Sequence, residues 1–298
     1  MPKFWANKKF TYFSLAVLVV IALLVWLAVF QGVEQKDKLK LVFCDVGQGD
    51  AILIQIPKDY DILIDGGPDD SVLSCLGENM PFYDRKIESI ILTHPDADHS
   101  TGLVEVLERY EIGEVWLTGV SHDLADYTEF LSLIKEKNIT RKTAKAGEIV
   151  FQDEKTKLKI LYPKENLEGK KVSNSNNTSV VTRLVYQGFS AIFTGDLEED
   201  KQKDLINQPS IEISADIFKV SHHGSANGLL TEFLSQVNPE VAVISVGENN
   251  RYGHPSPIIL DKLKAISGLK IFRTDRQGDV KIFSDGKDYQ IRTQKQLK

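Results

Sequence analysis

Short apolar runs alternate along this chain with segments in which apolar residues recur every three or four positions. The runs KLVFCDV, AILIQIP and DILIDGG are rich in β-branched residues and bounded by Gly, Pro and Asp, which is typical of strands. TGLVEVLERYEI and TEFLSLIKEKN instead space their apolar residues as an amphipathic helix does. The second half of the chain repeats this mixture. We therefore predict an α/β fold in which two sheets pack together with helices outside.

Residues 10–30 break this pattern because they carry no charge at all. As a helix, these 21 residues would be long enough to cross a hydrocarbon core of about 30 Å. Lysines in the preceding tip, residues 1–9, favour a cytoplasmic N-terminus, and a polar linker follows at 31–38. We expect a single-pass anchor in the cell membrane, with residues 39–298 forming one extracytoplasmic domain.

Two other interpretations of residues 10–30 stay open. A cleaved signal peptide usually has an apolar core of about 7–15 residues and a small-residue cleavage site, whereas this run is longer and ends in LAVFQGVEQ. A buried core helix is the other alternative. On the anchor and signal-peptide interpretations alike, the rest of the chain is exported.

Net charge and cysteine content give limited information on the binding partners of the protein and on the compartment in which it works. The formal net charge is −6, which does not suit strong non-specific capture of nucleic acid but is compatible with a local basic groove. Cys44 and Cys75 form no CxxC pair. We interpret them as small buried residues, with a single disulfide as the alternative for a domain outside the cell.

Histidines collect where loops follow strands. Of six histidines, five stand beside strand ends or turns, and only His122, in GVSHDLADY, is interpreted as a plain surface-loop residue. Loops on a rigid scaffold are where binding and catalytic sites form. The five are His94, His99, His222, His223 and His254.

The segment THPDADH places two His and two Asp within six positions. His94 would end a strand, Asp96 and Asp98 would lie in a tight loop, and His99 would open a helix. Four such side chains, divided between two adjacent points, favour a dinuclear metal site. The alternative is an acidic helix start in which Asp98 serves as a cap, and this leaves both histidines unexplained.

Two later clusters are candidates to complete that site. FTGD puts Asp196 at the end of an apolar strand, where its carboxylate could bridge two metals or simply cap the next helix. SHHG puts His222 and His223 after another strand, either as part of the site or as a polar loop.

DILIDGG, THPDADH, FTGD and SHHG resemble, in order and spacing, the motifs of the metallo-β-lactamase superfamily. The resemblance sharpens with four further motifs and covers residues 39–285; these are DVGQGDAILI, SNNTSVVTRL, SVGENNRYGHP and FRTDRQGDV. With them, the chain resembles the extracellular metallo-hydrolase domain of ComEC-type competence proteins. The many membrane helices of a ComEC channel do not accompany it here.

The resemblance implies an αββα metallo-β-lactamase-like sandwich, here preceded by one N-terminal transmembrane helix, with two divalent ions between the sheet edges. His94 and Asp96 would hold one ion and Asp98 and His99 the other. Asp196 would bridge the ions, and the ligand from SHHG would be His222. Asp65 would lie behind the site and hold the ligands in place.

Other residues receive roles from the same comparison. His223 and His254 are candidates for protonating the leaving group, and Asp98 is counted with them as catalytic. Further candidates, which could instead be plain turn residues, are the substrate contacts Gln48, Asp50, Asn176 and Asn177.

Ligand chemistry indicates the metal. Many relatives have a His where Asp96 stands and another near SNNTS, so this site has fewer nitrogen ligands and more oxygen ligands. Oxygen-rich ligation favours Mn²⁺ over Zn²⁺.

We therefore expect a membrane-anchored phosphodiesterase or nuclease that cleaves extracellular DNA, possibly single-stranded, or another phosphodiester through a metal-bound hydroxide. One alternative is a hydrolase of small esters, lactones or lactams. The other is a non-catalytic, metal-stabilised module that assists a separate DNA-uptake channel.

Overall fold

The computed structural model describes residues 12–22, 38–208 and 210–295, and residues 12–22 form helix α1. The predicted anchor is thus described only at 12–22. The cytoplasmic tip and almost all of the linker at 31–38 lie outside the described residues. Among the described helices, none combines the length and the apolar character needed to span a bilayer.

Two sheets form the body of the domain. The first contains eight strands: β1 (Leu39–Phe43), β2 (Ile52–Ile56), β3 (Tyr60–Ile64), β4 (Lys86–Ile91), β5 (Glu111–Leu117), β6 (Thr140–Thr143), β14 (Val280–Ser284) and β15 (Tyr289–Thr293). Their order across the sheet is β15-β14-β1-β2-β3-β4-β5-β6.

The second sheet contains seven strands: β7 (Ile149–Gln152), β8 (Thr156–Tyr162), β9 (Val181–Tyr186), β10 (Phe189–Phe193), β11 (Ile217–Lys219), β12 (Val241–Ile244) and β13 (Lys270–Arg273). Their order is β13-β12-β11-β10-β9-β8-β7. The helices that cover the two sheets are α2 (Ser71–Asn79), α3 (Ala97–Arg109), α4 (Ala125–Glu136), α5 (Glu199–Ile206), α6 (Thr231–Val237), α7 (Pro257–Lys264) and α8 (Thr274–Gln277).

Alternation along the strands separates three apolar layers. In β1, Leu41 and Phe43 face the core between the sheets, while Val42 faces the helices on the first sheet. On the second sheet, Ala191 faces the shared core and Ile192 packs toward the outer helices. Both sheets are therefore buried on two faces, and the predicted α/β fold of two sheets flanked by helices is confirmed.

Strand direction gathers the functional loops at one edge. β1 and β2 are antiparallel, β2 and β3 are antiparallel, and β3, β4, β5 and β6 are parallel. In the second sheet, β10, β11, β12 and β13 are parallel. Carboxyl ends of parallel strands are where open α/β sheets place their ligands.

A disulfide joins the end of β1 to helix α2. Cys44 and Cys75, both buried, are bonded across 31 residues of sequence. Of the two interpretations offered for these cysteines, the structure has the single bridge.

Candidate metal centre

The loop between β4 and α3 presents the first four ligand candidates. Asp96 occupies the N-cap position of α3 in an extended conformation, yet its side chain makes no capping hydrogen bond. Asp98 lies in the first turn of the helix and is one-third exposed. Their carboxylates are therefore free to face the cluster of histidines beside them.

Four side chains converge on one point. Asp98, His99, Asp196 and His223 each offer a ligand atom, and these atoms all lie within 4.8 Å of one another. His99 Nε2 is 3.4 Å and His223 Nε2 3.3 Å from Asp196 Oδ2. His223 Nε2 is also 3.3 Å from Asp98 Oδ2.

His94 and Asp96 mark a second point beside the first. His94 Nε2 lies 3.6 Å from Asp96 Oδ2, and the rings of His94 and His99 are 4.1 Å apart at their centroids. The side chain of His122, which the sequence did not connect to the site, places Nε2 3.7 Å from Asp96 Oδ1. Its position in a short loop after β5 gave no signal in the sequence.

The SHHG segment contributes both of its histidines to this region. His222 and His223 both have left-handed backbone conformations, with φ of 51° and 52°, which non-glycine residues adopt at a cost of about 1–3 kcal/mol each. The turn aims His223 inward, among the four converging side chains. His222 stays at the rim, with Nε2 3.8 Å from Asp196 Oδ2. The structure thus brings both together, with His223 deeper than the predicted ligand His222.

Asp65 fixes the orientation of His99 from behind. It is fully buried, and Oδ1 accepts a hydrogen bond from the Thr93 N–H at 2.7 Å. Oδ2 accepts from Thr93 Oγ1 and from His99 Nδ1, both at 2.8 Å. Because a carboxylate only accepts, Nδ1 of His99 is the donor here, and Nε2 is left to face the cluster.

Hydrogen bonds to Nδ1 fix the orientation of the other two inner rings, those of His94 and His223, in the same way. The Thr93 hydroxyl gives its hydrogen to Asp65, so it accepts from His94 Nδ1 at 3.0 Å. His223 Nδ1 donates to the Ser245 carbonyl at 2.9 Å. In all three rings Nδ1 is thereby used, and Nε2 faces the carboxylates.

Several buried atoms at the centre have no hydrogen-bond partner among the described residues. They are Nε2 of His94, His99 and His223, together with Asp196 Oδ1. A buried nitrogen lone pair aimed at a carboxylate must either take up a proton or coordinate a cation. The residues present therefore fit divalent metal ions.

Charges in the centre balance by protonation when no cation is bound. Burial alone would raise the pKa of Asp196, but His223 and His99 outweigh it and hold that pKa well below its usual range. Burial alone would lower the pKa of His223, but Asp196 and Asp50 raise it to about 10. Bound metal would displace these protons, so binding and protonation compete.

Lys219 is a buried cation that the sequence analysis missed. Its side chain is 0% exposed, its Nζ donates to the Gly195 carbonyl at 2.9 Å, and it is paired with Asp50. Nζ also lies 3.6 Å from Asp196 Oδ1. Burial would lower the pKa of Lys219, but these carboxylates outweigh burial and raise it. A lysine inside the apolar strand IFK was the available signal.

Two predicted substrate contacts make contacts within the protein. Gln48 Oε1 accepts from the Gly247 N–H at 3.2 Å, which joins two loops. Asp50 is 1% exposed and pairs with Lys219 beneath the centre. Asp50 is thus buried beneath the centre, whereas Gln48 is only half-buried.

The other predicted contacts line the rim. Asn176 Nδ2 is 3.5 Å from His222 Nε2, and Asn177 accepts a hydrogen bond from the Glu198 N–H at 3.3 Å. The His254 ring lies 6.0 Å from that of His222 and stacks on Tyr252. A cleft of about 570 Å³ opens beside Asn177, and its lining includes the lysines Lys164, Lys171 and Lys201 and the acidic residues Glu165, Asp200 and Asp204.

Comparison with known proteins agrees with this arrangement. A family model described as "Metallo-beta-lactamase superfamily" matches residues 44–248. ComE operon protein 3 of Bacillus subtilis (strain 168) is 32% identical over 255 residues, which are 79% of this chain and 32% of that protein. Competence protein ComA of Neisseria gonorrhoeae is 26% identical over 238 residues, 78% of this chain and 30% of that protein.

The chain spans about a third of the length of these curated relatives. Among solved structures, Igni18, a metallo hydrolase from the hyperthermophilic archaeon Ignicoccus hospitalis KIN4/I, is 15% identical with a TM-score of 0.49. That match covers 82% of this chain and 98% of Igni18.

Proposed function

Because the chain belongs to the metallo-beta-lactamase superfamily of metal-dependent hydrolases, we propose that it cleaves phosphodiester bonds, with extracellular DNA as the favoured substrate. The predicted resemblance to ComEC-type competence proteins is confirmed by ComE operon protein 3 and ComA. The choice of a phosphodiester rather than another ester or an amide rests on the site itself.

The observation that carries the proposal is the mixture of three inward-facing Nε2 atoms with the carboxylates of Asp96, Asp98 and Asp196. His94 and Asp96 would hold one ion, and Asp98, His99 and His223 the other, with Asp196 between them. Compared with a site dominated by histidines, these three carboxylates shift the preference from Zn²⁺ toward Mn²⁺. Two such ions, when bound, supply Lewis-acid stabilisation of both the attacking and the leaving oxygen of a phosphodiester.

We propose that residues at the rim take part in proton transfer with the leaving group and contact the substrate. Burial lowers the pKa of His254 and is the largest influence on it, so its ring is mostly neutral near pH 7. A separate cleft, lined by Asn177, contains three lysines and three acidic residues, which are Glu165, Asp200 and Asp204. We propose that Lys164 and Lys171 of this cleft contact the phosphate backbone, since the third lysine, Lys201, is paired with Asp204.

The direct test is hydrolysis of single-stranded DNA and of a nitrophenyl phosphodiester by the purified full-length chain in detergent. Parallel reactions contain Mn²⁺ or Zn²⁺, and bound metal is measured by mass spectrometry. We expect cleavage with Mn²⁺, and loss of both metal and cleavage in Asp196→Asn. Full metal occupancy without cleavage of either substrate would disprove the proposal.

The net charge of −6 favours a second candidate, a hydrolase of small esters, lactones or lactams. A panel of these compounds under the same conditions distinguishes the two. Faster turnover of a lactone or lactam than of the nitrophenyl phosphodiester would support the second candidate.

We also propose that residues 10–30 anchor the chain in the cell membrane and that the domain works outside the cytoplasm, beside a separate DNA-uptake channel. Two observations support this proposal. The side chains of α1 are uncharged, and Phe13 and Leu18 are 68% and 62% exposed. The disulfide between Cys44 and Cys75 is typical of oxidising compartments. Flotation of the full chain with lipid vesicles is expected, and recovery at the bottom of the gradient would refute the anchor.

A further inference from the structure

The turn between α2 and β4 exposes two aromatic rings. Residues 81–84, here called the aromatic turn, are closed by a hydrogen bond from the Asp84 N–H to the Pro81 carbonyl at 2.9 Å. Phe82 is 86% and Tyr83 66% exposed, and their rings meet edge to face at 5.3 Å. In the described part of the chain, no other large apolar side chain is as exposed as Phe82.

Strand directions place the aromatic turn at the end of the domain opposite the metal centre. β1, β3 and β4 point the same way, because β1 and β3 are each antiparallel to β2 and β4 is parallel to β3. The carboxyl ends of β3 and β4 lead directly to Asp65 and His94. The amino end of β4, which follows the aromatic turn, is therefore at the far end.

The chain enters the domain at that same far end. β1 begins at Leu39, and Lys40 Nζ donates to the carbonyl of Asn79, the last residue of α2, at 3.1 Å. Lys40 in β1 lies opposite Gln55 in β2, and Gln55 lies opposite Asp61 in β3. These three residues are therefore at the same height along the strands of the first sheet. The entry point and the aromatic turn thus lie side by side.

We propose that the aromatic turn contacts the surface of the lipid bilayer in which residues 10–30 are anchored. The inference rests on the membrane anchoring proposed above. A linker of residues 31–38 reaches at most about 29 Å when fully extended, so the entry end of the domain stays close to the bilayer. Aromatic side chains favour the headgroup region of a bilayer, which suits the exposed rings of Phe82 and Tyr83.

This contact sets the orientation of the domain relative to the bilayer. The six residues of β4 separate the aromatic turn from the loop that carries His94, a distance of about 20 Å along the strand. The metal centre therefore faces away from the lipid, toward soluble substrate. A second copy of the chain is the other occupant that two exposed rings could bind, and the experiment separates the two.

The test places a fluorescent residue on the aromatic turn of the full-length chain. Trp5→Phe and Trp26→Phe leave only Trp116, which is 4% exposed, as background. Phe82→Trp is then compared with Ile258→Trp, a matched position that is 51% exposed near the metal centre, at the start of α7. Both proteins are reconstituted into vesicles of phosphatidylcholine and phosphatidylglycerol, with or without bromine near the acyl carbonyls.

We expect brominated lipid to quench most of the emission added by Phe82→Trp and none of that added by Ile258→Trp. Proteins that float with the vesicles but show no quenching at residue 82, or equal quenching at both positions, overturn the inference while leaving the anchor intact. Emission at residue 82 that changes with protein dilution but not with bromine overturns it in favour of a second copy. Failure to float refutes the anchor itself, and this inference with it.

Discussion

At the scale of single residues, hydrogen-bond partners that lie outside the cluster determine what the centre can bind. Asp65 and the Ser245 carbonyl occupy Nδ1 of His99 and His223, so each Nε2 is left for a cation. The sequence predicts the ligands within THPDADH because they lie close together along the chain. It does not predict the contact between Lys219 and Asp50, since those residues meet only after both sheets have formed.

Asp96→His tests the proposed basis of metal preference. The added imidazole supplies a nitrogen ligand, so we expect the ratio of bound Zn²⁺ to Mn²⁺ to rise severalfold relative to the native chain. Metal content is measured by mass spectrometry after equilibration with both ions at equal concentration. Asp123→His, at an exposed position of the same region, is the control. An unchanged ratio in Asp96→His would show that Asp96 does not select the metal.

Lys219→Met tests the buried cation. The substitution leaves Asp50 and Asp196 buried without their partner, which costs about 3–5 kcal/mol when one member of a buried pair is removed. We expect the free energy of unfolding in urea, measured without metal, to fall by that amount. Lys142→Met, which removes a half-exposed lysine from an ion pair with Glu114, should cost far less. Equal losses in the two variants would contradict the expectation.

At the scale of elements, exposure explains only some of the strands that the sequence does not reveal, since β8, with five of its seven residues buried, was not predicted either. β2, with four of its five residues buried, is visible as an apolar run. β6, with the sequence TRKT, and the edge strand β15, with no fully buried residue, show no such run and were not predicted. These strands form because neighbours offer backbone partners, which is information that lies elsewhere in the chain.

Cys75→Ser tests how much the bridge between β1 and α2 stabilises the domain. Its loop of 31 residues predicts a loss of about 3–4 kcal/mol from chain entropy. The midpoint of urea unfolding should fall accordingly. A reducing agent should lower the midpoint of the native protein to the same value. Reducing agent that lowers the midpoint of Cys75→Ser as well would mean that reduction acts elsewhere.

Asp61 in β3 predicts a pH dependence of stability. Burial, the largest influence, raises the pKa of Asp61 to about 7, although the Gln55 amide works against it. A raised carboxyl pKa means that the native state holds a proton that the unfolded state has released. Stability contributed by this group therefore falls between about pH 4 and pH 7, by up to about 1.4 kcal/mol per unit.

Asp61→Asn should flatten that slope, as followed by urea unfolding at successive pH values. Glu111→Gln, an exposed carboxylate in the same sheet, should leave the slope as it is. A slope that survives in Asp61→Asn would assign the dependence to other groups.

At the scale of the whole molecule, both sheets contribute to one centre. Asp65, His94 and His99 follow strands of the first sheet, and Asp196 and His223 follow strands of the second. The order of motifs predicted that these residues belong together. It could not show that His223 lies deeper than His222, because the left-handed turn that separates them is a property of the folded backbone.

Removing divalent metal should lower the melting temperature of the whole domain. A ligand present at a hundred times its Kd stabilises the native state by about 2.7 kcal/mol. We expect a chelator to produce this loss in the native chain and almost none in Asp196→Asn, as measured by calorimetry. A chelator that lowers both melting temperatures equally would show that the metal acts away from Asp196.

Because the candidate ligands are divided between two sheets, the metal centre is complete only when both sheets have folded and packed together. A chain in which only the first sheet has formed lacks Asp196 and His223 at the site, which are two of the six proposed ligands. The proposed hydrolysis would therefore begin only after the two sheets have packed against each other. If the proposed function is correct, a newly made molecule would not cleave phosphodiesters around it until then, without any need for an inhibitory segment.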